Sequence, residues 1–464
     1  MESSPGANVG AALRGSRYGR PMVVLLLAAC VDPTPEPAPF TVSVTVAEAQ
    51  PTVLHVTWES EEPGVGWVTV GRDDVDEQLT THRDAAPTTH HDILVAGLLP
   101  RTVWRVQAHL DVDGDVADST EVPAKTGSLE RGGIVVGSVE GKMESARWLM
   151  QGVLGKGGGF VMFDQDGALV WSYVHDFPRL TTRARLTPDG TTVLTGDFDV
   201  DEGGPNYGWI RRMSLDGTEL DPVPTPGAHH DFAPTPDGYA YLALDVRPVQ
   251  DHAVVGDQIL EVDAEGNLLR TVWSSFDTWS ADGATQPEPF YHQGLDWTHS
   301  NTLDYDAERD QLVVSVRNLS AILRIDRATG EVAEQIGGPT SDYPTVSGTP
   351  FEAQHSPFFV SDDEMLVMDN TFKGVSAVRD YRLDASAGTL TELGSIVSPS
   401  GANVSALGDV AHDEDGRTLT SWGTAGSIEE VDADGVPTFR LDLDLGSAFS
   451  FFDPVDQLGG PSPD

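Results

Sequence analysis

The chain reads as an all-β protein, a six-bladed β-propeller preceded by a small β-sandwich. Three observations predict this. Apolar and polar residues alternate with period two from residue 40, the signature of half-buried strands. From about residue 128 an apolar strand ending in Asp, followed within a few residues by Gly, recurs six times, at Asp164, Asp216, Asp263, Asp326, Asp384 and Asp432. The gaps of 47 to 63 residues match the size of a four-stranded blade. A β-helix is the competing architecture, but its repeats are shorter and more regular.

Taken in order, the chain begins with Arg14, Arg17 and Arg20 ahead of an apolar run from Met22 to Ala29. The run ends Leu27-Ala28-Ala29-Cys30 and is too short to span a bilayer as a helix. Residues 1–30 resemble a bacterial lipoprotein signal, which implies lipidation at Cys30 and a periplasmic or cell-surface location. Cys30 is the only cysteine, so no intrachain disulfide can form. Residues 31–39 alternate proline with other residues and predict an extended tether.

Residues 40–127 predict the sandwich. Phe40, Val42, Val44 and Val46 point one way, and Leu54, Val56 and Trp58 repeat the pattern. Gly97-Leu98-Leu99-Pro100-Arg101-Thr102-Val103-Trp104 resembles a turn of fibronectin type III domains, which implies a spacer or packing role. The propeller is expected over 128–455, and residues 456–464 read as a disordered tail.

Composition limits the partners. With 28 Lys plus Arg against 73 Asp plus Glu, the net charge is −45. That excludes nucleic acid or an anionic membrane surface held by a basic patch, and leaves membrane attachment to the lipid anchor. A homodimer stays open as an assembly.

The repeats carry a second regularity. His230, His299 and His355 each lie seven residues before an aspartate, Asp237, Asp306 and Asp362, in three successive repeats. Equivalent positions on successive blades are related by rotation about the central axis. If these strands are innermost, three imidazoles meet at the mouth of the channel. The register selects His230 over His229. His412 precedes its turn at a shorter spacing and reads as structural. The insertion from Phe276 to Trp297 contains Trp279, Phe290 and Tyr291, and either lines an aromatic pocket or packs as an ordinary loop; Phe358 and Phe359 are further candidates for a pocket wall.

Asp296-Trp297-Thr298-His299-Ser300-Asn301 resembles the Trp-x-His-x-Asn segment of bacterial aryl-sulfate sulfotransferases. The strand Leu312 to Val316, followed by Arg317, resembles the family strand that ends in a sulfate-binding arginine. Gln354-His355, followed by Met368-Asp369-Asn370, resembles the segment of the family's nucleophilic histidine. The sequence departs from the family at Asn318, where many members have a second histidine.

The resemblance implies transfer of a sulfuryl group from a phenolic sulfate ester to a phenol through a sulfated histidine, with no cofactor and no nucleotide sulfate donor. It assigns the nucleophile to His355, assistance to His230 and His299, and substrate binding to Arg317 and Asn301. These residue types suit the chemistry. A neutral imidazole attacks sulfur, a guanidinium matches paired sulfate oxygens, and a positioned donor protonates a phenoxide whose phenol has a pKa near 10. Two readings compete with it: a non-catalytic lipoprotein for binding or adhesion at the cell surface, and a metalloenzyme whose three histidines hold Zn²⁺.

Overall fold

The structure is a computed structural model, and it describes residues 40–129, 134–155, 159–174, 179–199, 208–286, 290–398, 401, 403–443 and 447–463. The signal segment, Cys30 and the proline-rich tether lie outside the described residues. Among the described residues no helix is long and apolar enough to cross a membrane.

The expected alternation builds the N-terminal β domain. Its longest strand, Leu54–Arg72, is shared between two sheets. The first half pairs with Ser43–Val46 and Thr88–Val95, and the second half with Val75–Thr80 and Val103–Val112. Val56, Trp58, Val68 and Val70 point inward and meet Ile93 and Val106 in one core. A second core joins this domain to the propeller, because Val53, Leu94 and Ala96 pack with Trp148, Met150 and Trp171. Trp148 Nε1 also donates to the Gly97 carbonyl at 3.2 Å. Gly97 has φ +74°, and a Cβ there would lie 2.5 Å from the Trp148 ring, so only glycine fits. The domain therefore packs on the propeller rather than standing off as a spacer.

Six small sheets then form a ring, the six-bladed propeller. The innermost strands are, from blade one to blade six, Ser447–Val455, Arg179–Leu186, Ala228–Thr235, Ser300–Asp306, His355–Ser361 and Asp409–His412. The ring is closed twice. The C-terminal strand Ser447–Val455 becomes the innermost strand of blade one, beside Trp148–Gly155. The N-terminal strand Val136–Gly141 becomes the outermost strand of blade six, beside Pro437–Leu443. Each closure covers a sheet edge whose backbone groups would otherwise be unpaired.

The six repeated aspartates all sit at the end of the third strand of a blade, where the chain turns into the fourth. Their carboxylates cap that turn. Asp164 Oδ1 accepts from the backbone N–H of Asp166 and Ala168, and Asp432 Oδ1 from that of Asp434 and Val436. The repeat is an Asx-type turn device repeated once per blade.

The tail corrects an expectation. Residues 456–464 read as disordered, but Gly460–Pro461 pairs with Ile93 and Leu94 of the N-terminal domain, and Leu458 is buried in the shared core. The backbone N–H of Ser462 donates to Asp92. A short, Pro/Gly-rich segment carries no periodicity of its own, and its order comes from an edge strand that needed a partner.

Candidate active site

His230, His299 and His355 stand at the start of the innermost strands of blades three, four and five. The matching register becomes matching geometry. His230 and His299 both adopt left-handed backbone, with φ 55° and 53°. In blade five it is Ala353 and Ser356, on either side of His355, that are left-handed near the ring. A bulge follows in each strand, between 228 and 232, 300 and 302, and 355 and 358. Left-handed backbone at non-glycine residues is costly, and bulges re-aim side chains, so both mark a place where geometry was kept at the expense of regular pairing.

The rings come together. The centroids of His230 and His299 are 4.9 Å apart, at 71°. His355 and Arg317 lie near enough that Arg317 is among the charges that depress the basicity of both His230 and His355. All four residues are buried, none more than 8 % exposed. Burial is the main cause of the shifts. It holds His230 well below the usual histidine range and His355 at about 3, so both are neutral at pH 7.

Each ring is held by a different partner. His299 Nδ1 donates to Asp296 Oδ2 at 2.8 Å. His355 Nδ1 donates to Asn370 Oδ1 at 2.7 Å, and its Nε2 accepts the backbone N–H of Leu407 at 3.2 Å. That fixes one tautomer, with the lone pair on Nε2. His230 Nδ1 lies 3.0 Å from the Tyr291 hydroxyl and 3.1 Å from Nδ1 of His229.

Arg317 begins a single 3-10 turn after its strand, and its backbone N–H donates to the His299 carbonyl. Its guanidinium donates to Asn318 Oδ1 and to the Ser405 carbonyl, both at 3.1 Å, and lies over the Phe372 ring at 5.6 Å. Asn318, the departure from the family, donates in turn to the Asp296 carbonyl and so braces the strand that carries His299.

Asn301 occupies a different place from the one its substrate-binding assignment requires. It is fully buried, and its amide donates to the Gln354 carbonyl at 2.8 Å. Gln354 reaches back to the Ala321 carbonyl at 2.9 Å. The pair ties blade four to blade five directly before His355, so Asn301 positions the segment. His412 bonds Thr418 within blade six, outside the cluster.

The aromatic insertion divides. Trp279 is buried in the core and donates to Gln335. Phe290 and Tyr291 pack against the histidines, with Tyr291 5.3 Å and Phe290 5.4 Å from His299. Phe198 stacks on His230 at 5.9 Å. Phe290 is 44 % exposed and forms an aromatic rim. Phe359 instead lies under Arg324, with Phe358 beside it in a cavity at the turn end of the blades.

Beneath the histidines the channel holds a buried ionic cluster that sequence reasoning missed. Arg183 spans Asp231, at 3.1 and 3.2 Å, and Asp409, at 2.9 Å, and lies over Phe451. Asp231 also accepts the backbone N–H of Leu303 and so links blades two, three and four. Among the described residues no group of three or more His, Cys, Asp or Glu side chains is arranged to hold a metal ion.

Residues 136–427, more than half of the chain, match the profile of the family described as Arylsulfotransferase (ASST). The chain belongs to the arylsulfotransferase family. The matched span contains all four buried site residues and runs from the closing strand of blade six to the start of its third strand. No curated protein matches the chain. Solved structures similar to it include a protein of unknown function from Bacteroides caccae, at 13 % identity and TM-score 0.40, covering 69 % of this chain and 100 % of that one. Another is a virginiamycin B lyase from Staphylococcus aureus, at 11 % identity and TM-score 0.35, covering 68 % of this chain and 99 % of that one. In the family's terms, the site combines a neutral imidazole of fixed tautomer, a guanidinium and two further imidazoles beneath an aromatic rim.

Proposed function

We propose that this arylsulfotransferase-family protein moves a sulfuryl group from a phenolic sulfate ester to a phenol through a covalent intermediate on His355. The observation that carries this reading is the His355 ring, neutral at pH 7, with its proton held on Nδ1 by Asn370 and its lone pair on Nε2, in the field of Arg317. Such a ring needs no base before it attacks.

In the first half-reaction Nε2 forms the N–S bond as the S–O bond to the aryl oxygen breaks. The hydrogen bond from Leu407 is exchanged for that bond. Charge on the sulfuryl oxygens is met by the Arg317 guanidinium, whose planar fork matches paired oxygens. The leaving phenoxide takes the Nε2 proton of His230, which lies beside Tyr291 and His299, while a neighbouring buried group returns a proton to the ring at Nδ1, so that His230 stays neutral. In the second half-reaction a phenol oxygen attacks sulfur, the N–S bond breaks, and the phenol proton returns to His230. Phe290 and Tyr291 give the aryl ring an apolar surface beside the reacting atoms. The Arg14, Arg17 and Arg20 segment and the apolar run before Cys30 support placing the enzyme outside the cytoplasm on a lipid anchor.

The test is a burst experiment. Mixed with para-nitrophenyl sulfate and no acceptor, the protein should release about one equivalent of para-nitrophenolate and gain one sulfuryl mass on the peptide containing His355. His355→Ala should abolish both, and a chelator should change neither. A burst of full amplitude from His355→Ala would remove His355 from the reaction.

A further inference from the structure

Behind His230 lie two buried groups that the transfer chemistry has not used. His229 is 3 % exposed and Asp257 is fully buried. His229 Nε2 lies 3.2 Å from Asp257 Oδ1, and its Nδ1 lies 3.1 Å from Nδ1 of His230. The other oxygen of Asp257 accepts from Thr298 Oγ1 at 2.7 Å and from the backbone N–H of Ser300 at 2.6 Å. Burial pushes the Asp257 carboxyl up, but the ion pair with His229 and the hydrogen bonds from Thr298 and Ser300 outweigh it and hold it below the usual range. Asp257 is therefore ionised and only accepts, so His229 carries a proton on Nε2.

The two Nδ1 atoms facing each other share a single proton. When it sits on His229, that ring is an imidazolium paired with Asp257, and neutral His230 carries its own proton on Nε2. When it sits on His230 and the Nε2 proton of that ring has left with substrate, both rings are neutral and the lone pair of His230 is on Nε2. The Tyr291 hydroxyl, 3.0 Å from the same His230 nitrogen, rotates to donate in the first state and accept in the second.

The structure assigns to His229 and Asp257 the role of positioning residues that store the proton His230 exchanges with substrate. This rests on the sulfuryl-transfer reading. As the S–O bond to the donor phenol breaks, the phenoxide takes the Nε2 proton of His230, and His229 Nδ1 passes its proton to His230 Nδ1. In the second half-reaction the acceptor phenol gives its proton to His230 Nε2 as the new S–O bond forms and the N–S bond breaks. The Nδ1 proton then returns to His229. Positive charge rests on the Asp257–His229 pair, beside a carboxylate, and not on His230, which is buried among three other histidines and Arg317.

The test compares donors that differ in their need for a proton. Phenyl sulfate releases a phenoxide that must be protonated, whereas the phenolate from para-nitrophenyl sulfate leaves unaided at neutral pH. His229→Gln keeps a donor for Asp257 and an acceptor for His230 but cannot pass a proton. Asp257→Asn removes the counter-charge. Both variants should lose about 10²-fold in kcat/KM with phenyl sulfate, change no more than about threefold with para-nitrophenyl sulfate, and still form sulfated His355. Equal losses with both donors, or no loss with phenyl sulfate, would overturn the assignment. If Asp257→Asn does not fold, His229→Gln decides alone. A wild-type protein that forms no sulfated His355 defeats the transfer reading and this assignment with it. A wild-type protein that does form it, alongside variants insensitive to the donor, defeats this assignment alone.

Discussion

Replacing Asn370 with alanine tests what holds the reactive ring. Asn370 is fully buried and makes three side-chain bonds around His355: it accepts from His355 Nδ1 at 2.7 Å, and donates to the carbonyls of Val404 at 2.8 Å and Leu407 at 2.9 Å. A buried hydrogen bond is worth about 1 kcal/mol net, and more when its partner is left unsatisfied, so Asn370→Ala should destabilise by about 3 kcal/mol. The effect on rate has a separate origin. Without the acceptor on Nδ1 the ring is free to move its proton to Nε2, which hides the lone pair. Loss of tautomer control in other histidine-dependent enzymes lowers turnover by up to about 10⁴-fold. Here the Leu407 N–H still favours a lone pair on Nε2, so about 10²-fold is expected. Asn370→Asp provides the contrast. It keeps the acceptor but adds negative charge, which raises His355 from about 3 and moves the acid limb of kcat/KM to higher pH, because the attacking ring must be neutral. Urea denaturation followed by tryptophan fluorescence reads stability, and stopped-flow release of para-nitrophenolate reads the first half-reaction. A folded Asn370→Ala whose burst rate stays within about threefold of wild type would refute the tautomer argument.

Two further perturbations follow from charges away from the reacting atoms. Arg183→Met leaves Asp409 buried without its cation and Asp231 with only Arg185, 3.9 Å away, and should cost about 3–5 kcal/mol near neutral pH. Burial already raises the Asp409 carboxyl, so in the variant protonation relieves the penalty, and the urea midpoint should recover at low pH relative to wild type; a penalty unchanged between about pH 5 and about pH 8 would refute this. His55 lies between Asp92 of the N-terminal domain and Asp216 of blade two, at 3.2 and 3.1 Å. The hydrogen bond to Asp92 raises it above 6.5, so its stabilisation is fully present below about pH 6.5 and is lost as pH rises through the higher folded value. Melting temperatures of wild type should therefore fall more steeply than those of His55→Gln over that interval, and parallel curves would count against the clasp.

Local signals carried most of the fold. Period-two alternation is a property of a few adjacent residues, and it marked strand at 40–46 and at the start of the long strand Leu54–Arg72. The recurring Asp and Gly are a turn device that works through backbone atoms two to four residues away, so they were visible without any tertiary information. The register of His230, His299 and His355 was also legible, because equal spacing from equal turns becomes equal height on neighbouring blades.

What remained hidden were contacts between residues distant in the chain. Asn370 reaches His355 from the next strand, and Tyr291 reaches His230 from an insertion with no pattern of its own. Choosing by register picked His230, whose ring stacks on Phe198, and the same rule set aside His229, whose neighbour Asp257 comes from a strand of the same blade 28 residues on. Asn301 shows the converse: its segment was recognised, yet only packing shows its amide turned to Gln354.

By itself, then, the sequence determined the all-β class, the number of blades and the equal spacing of the three histidines from their turns, because period, turn chemistry and repeat spacing are written in neighbouring residues. Tertiary structure alone decided which tautomer His355 keeps, where Asn301 points and how the tail is held. Those depend on buried donors and acceptors finding partners, and a buried polar group takes whatever partner the closed ring brings within reach.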